Sequence, residues 1–482
     1  TMASFKLWIG ASAADTITRL AVQLASTMVV ARILTAEEFG LASLVLGVTT
    51  IMAAFIGLPF EESLAQRRKL YTSHLETSLF VSAVLTAISV AFSAVLGPVI
   101  ERLANAPGFA LALLAGSLLL FAQGPGAVAR AIARRHRRFV DLSICNALST
   151  ALGSGFAVLA AFAGWGVYSL ILQRLLPNVF FPILALMALK WRGQRIWIPT
   201  RWHPARFREL FRFSWLHLAD VGVTNAGPAT LSFLINAYFG QAVLGMLNIA
   251  LRIVDPLRSA LLSVGHNLAF SILVRMQTDA RKLTVKAAEI TADTGFFIIP
   301  AFVGLAVVSP VLLPMLVGPG WESSIPLSQM LCLAVAFSLP FNFYYSGYSA
   351  LGRPEYGLYG SAFSLLAMVV AFLVSAWSGL GQTVGIAFIT YEAAKVVIAL
   401  ALALPISGRA LTTALIEIVR IWIGALIMAG VLHWLFLSSD RPQVSGLGLA
   451  GIVLAGMVVY PLVMLVVCPR CMRDFIRLFR SR

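Results

Sequence analysis

Residues 77–97 read TSLFVSAVLTAISVAFSAVLG, a continuous run without a charged residue. A membrane-spanning helix needs about 20 apolar residues. Similar runs recur along the chain, in which hydrophobic residues make up 59% and charged residues 12% of 482 residues. Soluble domains carry about 25% charged residues. The composition therefore excludes a soluble enzyme, a disordered protein and a single-span receptor. Continuous runs also exclude an outer-membrane barrel, whose strands alternate apolar and polar residues.

Hydropathy along the chain predicts an all-α polytopic membrane protein with about fourteen transmembrane helices. The predicted spans are 8–31, 39–60, 77–97, 109–129, 141–163, 167–189, 213–236, 244–272, 288–314, 325–350, 357–378, 384–405, 416–437 and 448–468. The connections between them are short and leave no room for a folded domain outside the membrane. The first run carries charges and is too long for a cleavable signal peptide, so none is predicted.

Basic residues concentrate on alternate connections. Residues 67–69 read RRK, residues 134–138 read RRHRR, and further basic clusters lie at 190–212, at 275–286 and in the tail. By the positive-inside rule these connections are cytoplasmic. An even number of spans then places both termini in the cytoplasm. The same rule accounts for the net charge of +16, so nucleic acid is not a predicted partner, whereas attraction to membrane lipid is expected.

Weak internal similarity predicts two related halves. An offset of 205 residues aligns residues 39–40 with residues 244–245, and Asp15 with Asp220. Two six-helix lobes of the same orientation would be related by an axis along the membrane normal, as in parallel-repeat transporters. Chance similarity among apolar helices is the alternative. The predicted division is an N-lobe at 1–190, a basic and aromatic cytoplasmic linker at 191–212, a C-lobe at 213–406, and two further helices with a basic tail at 407–482.

Three predicted spans carry ionisable and amide side chains, which are costly in a bilayer and mark candidate functional sites. The first span carries Asp15, Arg19 and Gln23, the seventh carries Asp220 and Asn225, and the eighth carries Asn248, Arg252, Asp255 and Arg258. A spacing of four places the three polar residues of the first span on one helix face. These spans are predicted to line a hydrated cavity. Mutual pairing of neighbouring opposite charges, without any ligand, is the alternative.

A cavity lined by arginines suits an anionic substrate, because the guanidinium group grips phosphate oxygens through two parallel hydrogen bonds. The acidic and amide residues of these spans are candidates for the rest of the cavity lining: Asp15, Gln23, Asp220, Asn225, Asn248 and Asp255. The carboxylates Asp15 and Asp220 are also candidates for ion coupling. Sequence signatures of nucleotide-driven pumps, zinc proteases and serine hydrolases are absent. The six histidines are scattered, and the chain has four cysteines. Neither a metal nor a cofactor is predicted, and an enzyme is disfavoured.

Five short motifs occur in a specific order. Residues 31–40 read ARILTAEEFG, residues 164–168 read GWGVY, residues 239–245 read FGQAVLG, residues 316–327 read LVGPGWESSIPL, and residues 349–354 read SALGRP. In this order the chain resembles the bacterial polysaccharide transporters. These are the Wzx-like oligosaccharide flippases of the multidrug/oligosaccharidyl-lipid/polysaccharide exporter superfamily. Many relatives carry a charged pair late in the seventh span, where this chain reads LSFL at 231–234, so that charge is not carried over.

The resemblance implies two six-helix lobes around a V-shaped cavity in the bacterial cytoplasmic (inner) membrane. It also implies that the protein flips polyprenyl-diphosphate-linked oligosaccharide to the outer face for surface polysaccharide biosynthesis. Carried onto this chain, the residues that bind the diphosphate would be Arg19 and Arg252, joined by Arg32 and Arg258. Polysaccharide polymerase or export machinery would be a partner, and a monomer is expected. A lipid II-type flippase and an exporter of soluble small molecules are the alternative functions.

Overall fold

A computed structural model of the chain describes residues 18–66, 70–136, 138–191, 202–273, 276, 279–345, 355–377, 380–437, 446–469 and 472. Every regular element among these residues is a helix. In chain order the helices are α1 (Thr18–Ala31), α2 (Ala36–Gln66), α3 (Thr72–Leu103), α4 (Phe109–Leu119), α5 (Gln123–Arg135), α6 (Phe139–Phe162), α7 (Val167–Trp191), α8 (Pro204–Phe239), α9 (Gln241–Leu273), α10 (Ala280–Val317), α11 (Ser324–Ser338), α12 (Glu355–Ser375), α13 (Leu380–Leu432) and α14 (Gly446–Val467).

Eleven segments of the described chain are long and apolar enough to cross a membrane. One of them, Phe109–Arg135, joins α4 and α5, and two others, Thr383–Ala403 and Ala410–Leu435, follow each other along α13. Neither α8 nor α9 is among the eleven, and the middle of α9 carries three charged residues. The predicted all-helical, multi-span class is confirmed. The count of fourteen spans and the cytoplasmic location of the termini stay predictions.

Large apolar side chains are exposed along several of these helices. Val95 on α3 is 69% exposed, Phe162 on α6 is 71% exposed and Val466 on α14 is 83% exposed. On a soluble protein such surfaces would favour association, whereas in a bilayer they face acyl chains. The exposed apolar surface therefore agrees with the membrane environment that the composition predicts.

The described helices form two compact units, Thr1–Asn248 and Ile249–Arg482. In the first unit α2 is central, because it packs against α3, α4, α5, α7 and α8. Its side chains Phe39, Leu44 and Phe60 are fully buried there. The second unit is built on α10 and α13, which pack against each other and against α11 and α14, while α12 packs on α13. The predicted domain boundaries at 190, 212 and 406 stay predictions.

The start of α2 explains part of the motif at residues 31–40. The Glu38 carboxylate accepts a hydrogen bond from the Thr35 N–H at 2.8 Å, and the Glu38 N–H donates to Thr35 Oγ1 at 3.3 Å. This reciprocal pair is a capping box, which satisfies backbone donors that a helix start leaves unpaired. Threonine followed three residues later by glutamate therefore fixes where α2 begins.

Two glycines bring the first turns of α2 and α9 into backbone contact within the first unit. A Cβ atom on Gly40 would overlap the carbonyl oxygen of Gln241, and one on Gly245 would overlap the carbonyl oxygen of Ala36. An offset of 205 converts Ala36 into Gln241 and Gly40 into Gly245, so the contact is reciprocal. The two lobes that the 205-residue repeat predicts stay a prediction.

The described end of the predicted linker packs on the start of α3. The His203 Nε2 atom lies 2.8 Å from the Glu76 carboxylate, and the Trp202 ring lies 5.8 Å from the Phe80 ring, centroid to centroid. The Arg206 guanidinium lies over the Tyr71 ring at 5.3 Å. Basic and aromatic side chains of this segment thus bind a neighbouring helix, while residues 192–201 of the segment lie outside the described residues.

Candidate functional site

A polar cavity of about 320 Å³ lies inside the first unit, between α1, α2, α5, α6 and α7. Three arginines line it, Arg19, Arg130 and Arg174. The remaining wall is largely amides and hydroxyls: Gln23, Thr50, Asn146, Ser149, Thr150, Ser154, Gln173 and Asn178. No acidic side chain is among the lining residues that the structure describes, and Asp15 lies outside them. The described wall is therefore cationic and rich in hydrogen-bonding groups.

The first wall of the cavity comes from α1, where the sequence predicts polar residues on one face. Arg19 and Gln23, one turn apart, both line the cavity. Below them α1 is tied to α7, because the Gln173 amide donates hydrogen bonds to Ser26 Oγ and, at 3.2 Å, to Thr27 Oγ1. These bonds fix the position of α1, so the structure brings the two predicted residues to a single site.

The second arginine, Arg130, belongs to a tight ion cluster. Its Nε atom lies 2.6 Å from Glu61 Oε2, and the Nη2 atom of Arg134 lies 2.9 Å from Glu61 Oε1. Glu61, near the end of α2, is only 7% exposed. The Arg130 guanidinium also lies over the Phe181 ring at 5.2 Å, within cation–π range. One carboxylate therefore holds two arginines of α5, and one of these reaches the cavity.

The third wall is formed by α6 and α7. Arg174 and Asn178 follow each other at a spacing of four on α7, as do Asn146 and Thr150 on α6, so each pair shares a helix face. Ser154, one turn further along α6, is 3% exposed, and its Oγ atom has no hydrogen-bond partner within the described chain. A buried hydroxyl without a partner is unfavourable. The cavity therefore offers a place for a ligand that completes this hydrogen bond.

The sequence-predicted residues of the first unit do not all meet at this cavity. Arg32 follows the end of α1 and is exposed, and Asn225 lies half-buried on α8, so neither lines the cavity. Asn248 is half-buried on α9 at the boundary of the unit. Asp15 lies outside the described residues, and for Asp220 the structure describes the helix but not the side chain.

The second unit has its own cluster of charges, between α9 and α13. Arg258 Nη2 lies 3.7 Å from Glu392 Oε1, and Lys395 Nζ lies 3.5 Å from Glu392 Oε2. The Lys395 ammonium also sits over the Tyr391 ring at 4.0 Å. The predicted residue Arg258 is thus beside a carboxylate that is 1% exposed. Of the other predicted residues on α9, Arg252 is half-buried and Asp255 is exposed.

Sequence reasoning missed Arg130 and Glu61 as members of a site. Arg130 directly follows the predicted span 109–129 and lies four residues before the start of the basic run 134–138, so the sequence suggests that it belongs to a cytoplasmic loop. The usable signal was the spacing of four between Arg130 and Arg134, which places both on one side of a helix. No group of three metal-ligating side chains occurs within the described part of the chain.

Comparison with known proteins gives the family. The sequence profile described as "Polysaccharide biosynthesis protein" matches residues 29–326. The "Lipopolysaccharide biosynthesis protein WzxC" of Escherichia coli (strain K12) is 26% identical over 67% of this chain and 65% of its own length. The "Succinoglycan biosynthesis transport protein ExoT" of Rhizobium meliloti (strain 1021) is 26% identical over 65% of this chain. Its matched part is 62% of its own length, so both alignments span less than two thirds of these relatives.

Solved structures give the fold. A lipid II flippase MurJ in an inward closed conformation has a TM-score of 0.74 at 15% identity, with 98% of this chain and 99% of that chain covered. An inward-facing multidrug resistance MATE transporter of the MOP superfamily has a TM-score of 0.61 at 14% identity, with 84% of this chain and 98% of that chain covered. The resemblance that the motifs predict is confirmed. The chain belongs to the polysaccharide biosynthesis protein family and has the fold of the multidrug/oligosaccharidyl-lipid/polysaccharide exporter superfamily.

Proposed function

We propose that the chain is a flippase that translocates polyprenyl-diphosphate-linked oligosaccharide across the bacterial cytoplasmic membrane by alternating access, as a monomer, for surface polysaccharide biosynthesis. The observation that supports this function best is the composition of the cavity in the first unit. Three arginines face it, and none of its lining residues in the described part of the chain is acidic. Its charge suits a phosphate-bearing head, since hydrogen bonds between arginine and phosphate are among the strongest in proteins.

The uncharged lining suits the sugar part of such a substrate. The side-chain amides of Asn146, Gln173 and Asn178 can each donate and accept hydrogen bonds, as sugar hydroxyl groups do. The Ser154 hydroxyl, which lacks a partner in the described chain, gives one more polar contact. Phosphate and sugar would then be bound in one cavity, with the charge on the arginines and the hydroxyl groups on the amides.

An apolar groove on the opposite side of α2 suits the lipid part. It has a volume of about 450 Å³ and is lined by α2, α3 and α8, with Phe55, Phe92 and Phe233 among its residues. Thr50 and Ala53 of α2 line the cationic cavity, whereas Ile51 and Phe55 line the groove. A single helix therefore separates an anion-binding surface from an apolar one. In a substrate with a diphosphate head and an isoprenoid tail, the head would suit the cationic cavity and the tail would suit the apolar groove.

The remaining predicted roles stay proposals. Arg252 and Arg258 would contact the diphosphate during transport, and Asp15 and Asp220 would couple flipping to an ion gradient. Transport that continues at its normal rate after the gradients are collapsed would remove the coupling role. Contact with polysaccharide polymerase or export machinery is part of the same proposal.

The substrate is tested in a deletion strain. Polyprenyl-diphosphate-linked oligosaccharide is quantified by mass spectrometry, and its sidedness is measured with a membrane-impermeant probe. Accumulation on the cytoplasmic side together with loss of surface polysaccharide is the expected result. Accumulation of lipid II instead would assign the alternative lipid II-type function. Normal levels and sidedness of both lipids would overturn flipping in favour of export of a soluble molecule.

The site is tested with single arginine variants in the complemented strain. Arg19→Gln and Arg174→Gln should each lower export at least about tenfold, because each removes a charge-assisted contact to phosphate. Arg102→Gln is the matched control, since Arg102 lies exposed in the last turn of α3 and does not line the cavity. Equal export by all three variants, at equal protein levels, would remove the cavity from the mechanism.

A further inference from the structure

The buried carboxylate of Glu61 sits behind the cavity and does not line it. Its two oxygens bind different arginines, with Arg130 Nε at 2.6 Å and Arg134 Nη2 at 2.9 Å. Both lengths are within the range of charge-assisted hydrogen bonds. Arg134 is about half-exposed and is absent from the cavity wall, whereas Arg130 lines it. Glu61 therefore acts on the cavity through Arg130.

Two contacts hold the orientation of Arg130. Glu61 binds the Nε atom, and the Phe181 ring lies under the guanidinium. A Cβ atom on Gly126 would lie 3.4 Å from Arg130 Nη1, so the glycine leaves room for the fork. Guanidinium carries five donors, and only the Nε donor is used by Glu61. The terminal donors keep a fixed plane, which is the condition for two-point binding of phosphate.

The arginines on the wall indicate which phosphate group the cavity prefers. Arg19, Arg130 and Arg174 line it, and Glu61 pairs with Arg130 from behind. A phosphate monoester has three terminal acceptor oxygens. A diphosphate has two phosphoryl groups and more acceptor oxygens, so it can form more of the available hydrogen bonds to these arginines. The second phosphoryl group then distinguishes a diphosphate lipid from a monophosphate lipid.

We propose that Glu61 is a positioning residue that orients Arg130 so that the cavity selects a diphosphate end over a monophosphate end. This inference rests on the proposed function, and it adds the residue that sets the specificity for the head group. Glu61 itself does not contact the lipid. Its removal leaves Arg130 charged but without a fixed plane, so the selectivity falls while attraction for any phosphate persists.

The test measures binding of two probes to the purified full-length chain in detergent. Farnesyl diphosphate and farnesyl phosphate differ by one phosphoryl group, and the ratio of their dissociation constants is the readout. The wild-type protein should prefer the diphosphate at least about tenfold, the size of one strong charge-assisted hydrogen bond. Glu61→Gln should lower the ratio to about twofold with little change in binding of farnesyl phosphate.

Two further variants separate positioning from general damage. Arg130→Lys keeps the positive charge and loses the planar fork, so it should lower the same ratio. Asp141→Asn is the matched control, because Asp141 also pairs with an arginine, Arg138 at 3.8 Å, and does not line the cavity. It should keep the wild-type ratio. If Glu61→Gln does not fold, as judged by size-exclusion chromatography, the Arg130→Lys ratio decides the question.

The outcomes distinguish this inference from the proposed function. A wild-type ratio in both Glu61→Gln and Arg130→Lys, or an equal loss of both probes, would overturn the positioning role and leave the flippase proposal intact. Equal binding of the two probes by the wild-type protein would overturn the selectivity. Failure of the wild-type protein to bind either probe would overturn the anion site itself, and the selectivity with it.

Discussion

Each unit of the molecule buries one glutamate between two basic side chains, and the two clusters differ in how tightly they are made. In the first unit the arginine nitrogens lie 2.6 and 2.9 Å from Glu61. In the second unit the basic nitrogens lie 3.5 and 3.7 Å from Glu392, beyond the usual length of a charge-assisted hydrogen bond. Glu392 is also the more buried of the two, at 1% exposure against 7%.

The difference in distance means that Glu61 holds its arginines in a fixed geometry, whereas Glu392 does not fix the geometry of its basic partners. Desolvating a carboxylate costs several kcal/mol, which direct hydrogen bonds and ion pairs must offset. Glu61 has that compensation, and its geometry is suited to hold Arg130 in place. The carboxylate of Glu392 depends on Coulomb attraction over longer distances, which is stronger in a low-dielectric interior but does not fix a direction. We expect the two clusters to respond differently when one partner is removed.

The largest effect is expected for Lys395→Met. The fully buried Glu392 carboxylate would keep only the contact of 3.7 Å to Arg258, so the free energy of unfolding should fall by about 3 kcal/mol. The measurement is reversible denaturation of the purified protein in detergent. The double variant Glu392→Gln with Lys395→Met should recover most of the loss, because it no longer buries the negative charge. A double variant as unstable as the single one would show that packing of the lysine stem, and not the charge, is responsible.

A smaller effect on stability is expected for Arg130→Met. This change removes the bond of 2.6 Å but leaves the Glu61 carboxylate its bond of 2.9 Å to Arg134. The free energy of unfolding should fall by about 2 kcal/mol, the contribution of one hydrogen bond to a charged group. Export should also fall, even at equal levels of folded protein, because Arg130 lines the cavity. A loss of stability equal to that of Lys395→Met would erase the proposed difference between the clusters.

A still smaller effect is expected for Arg134→Gln. The Arg134 side chain is 47% exposed, so water compensates for much of the lost ion pair. The free energy of unfolding should fall by about 1 kcal/mol or less. The free energies of unfolding of Arg130→Met and Arg134→Gln are measured side by side. The more buried of the two Glu61 ion pairs should show the larger loss. The reverse order would mean that bond length and exposure do not decide the strength of these pairs.

The sequence was sufficient for the helical membrane class and for one wall of the site. Arg19 and Gln23 stand out because they are polar within an apolar run and share a helix face. The motif glycines Gly40 and Gly245 also stand out, and both take part in one reciprocal backbone contact. These features depend on local periodicity and spacing, which a single sequence contains.

The cavity walls formed by α5, α6 and α7 could not be predicted from the sequence, and the reason is physical. Arg130 lies at the end of a span beside basic loop residues, and its role follows only from Glu61, 69 positions away along the chain. The neutral residues Asn146 and Asn178 gain meaning only when α6 and α7 pack side by side. The pairing of Arg258 with Glu392 likewise depends on how α9 and α13 pack. Contacts between distant segments leave no periodic signal in one sequence.

The smallest effect concerns Asp279, whose side chain is 42% exposed. Asp279 precedes α10 and accepts hydrogen bonds from the backbone N–H groups of Arg281 and Lys282, each at 3.1 Å. The Lys282 backbone hydrogen bond lowers the pKa of Asp279 below its usual value, with further help from the Lys282 side chain. An aspartate whose pKa is lowered by folding stabilises the folded state above its unfolded pKa of about 3.9. That contribution is lost as the pH falls through the lower pKa of the folded state.

Asp279→Asn should therefore be slightly less stable than the wild type near neutral pH, because asparagine is also a good residue at a helix N-terminus but lacks the charge. The difference between wild type and variant should shrink as the pH falls below about 4, where the aspartate becomes protonated. Thermal denaturation between pH 3 and pH 7 measures it. A difference that grows towards acid pH would contradict the lowered pKa. The partly exposed Asp279 is thus expected to contribute least to stability. Glu61 and Glu392 are expected to contribute more, in the order of their burial.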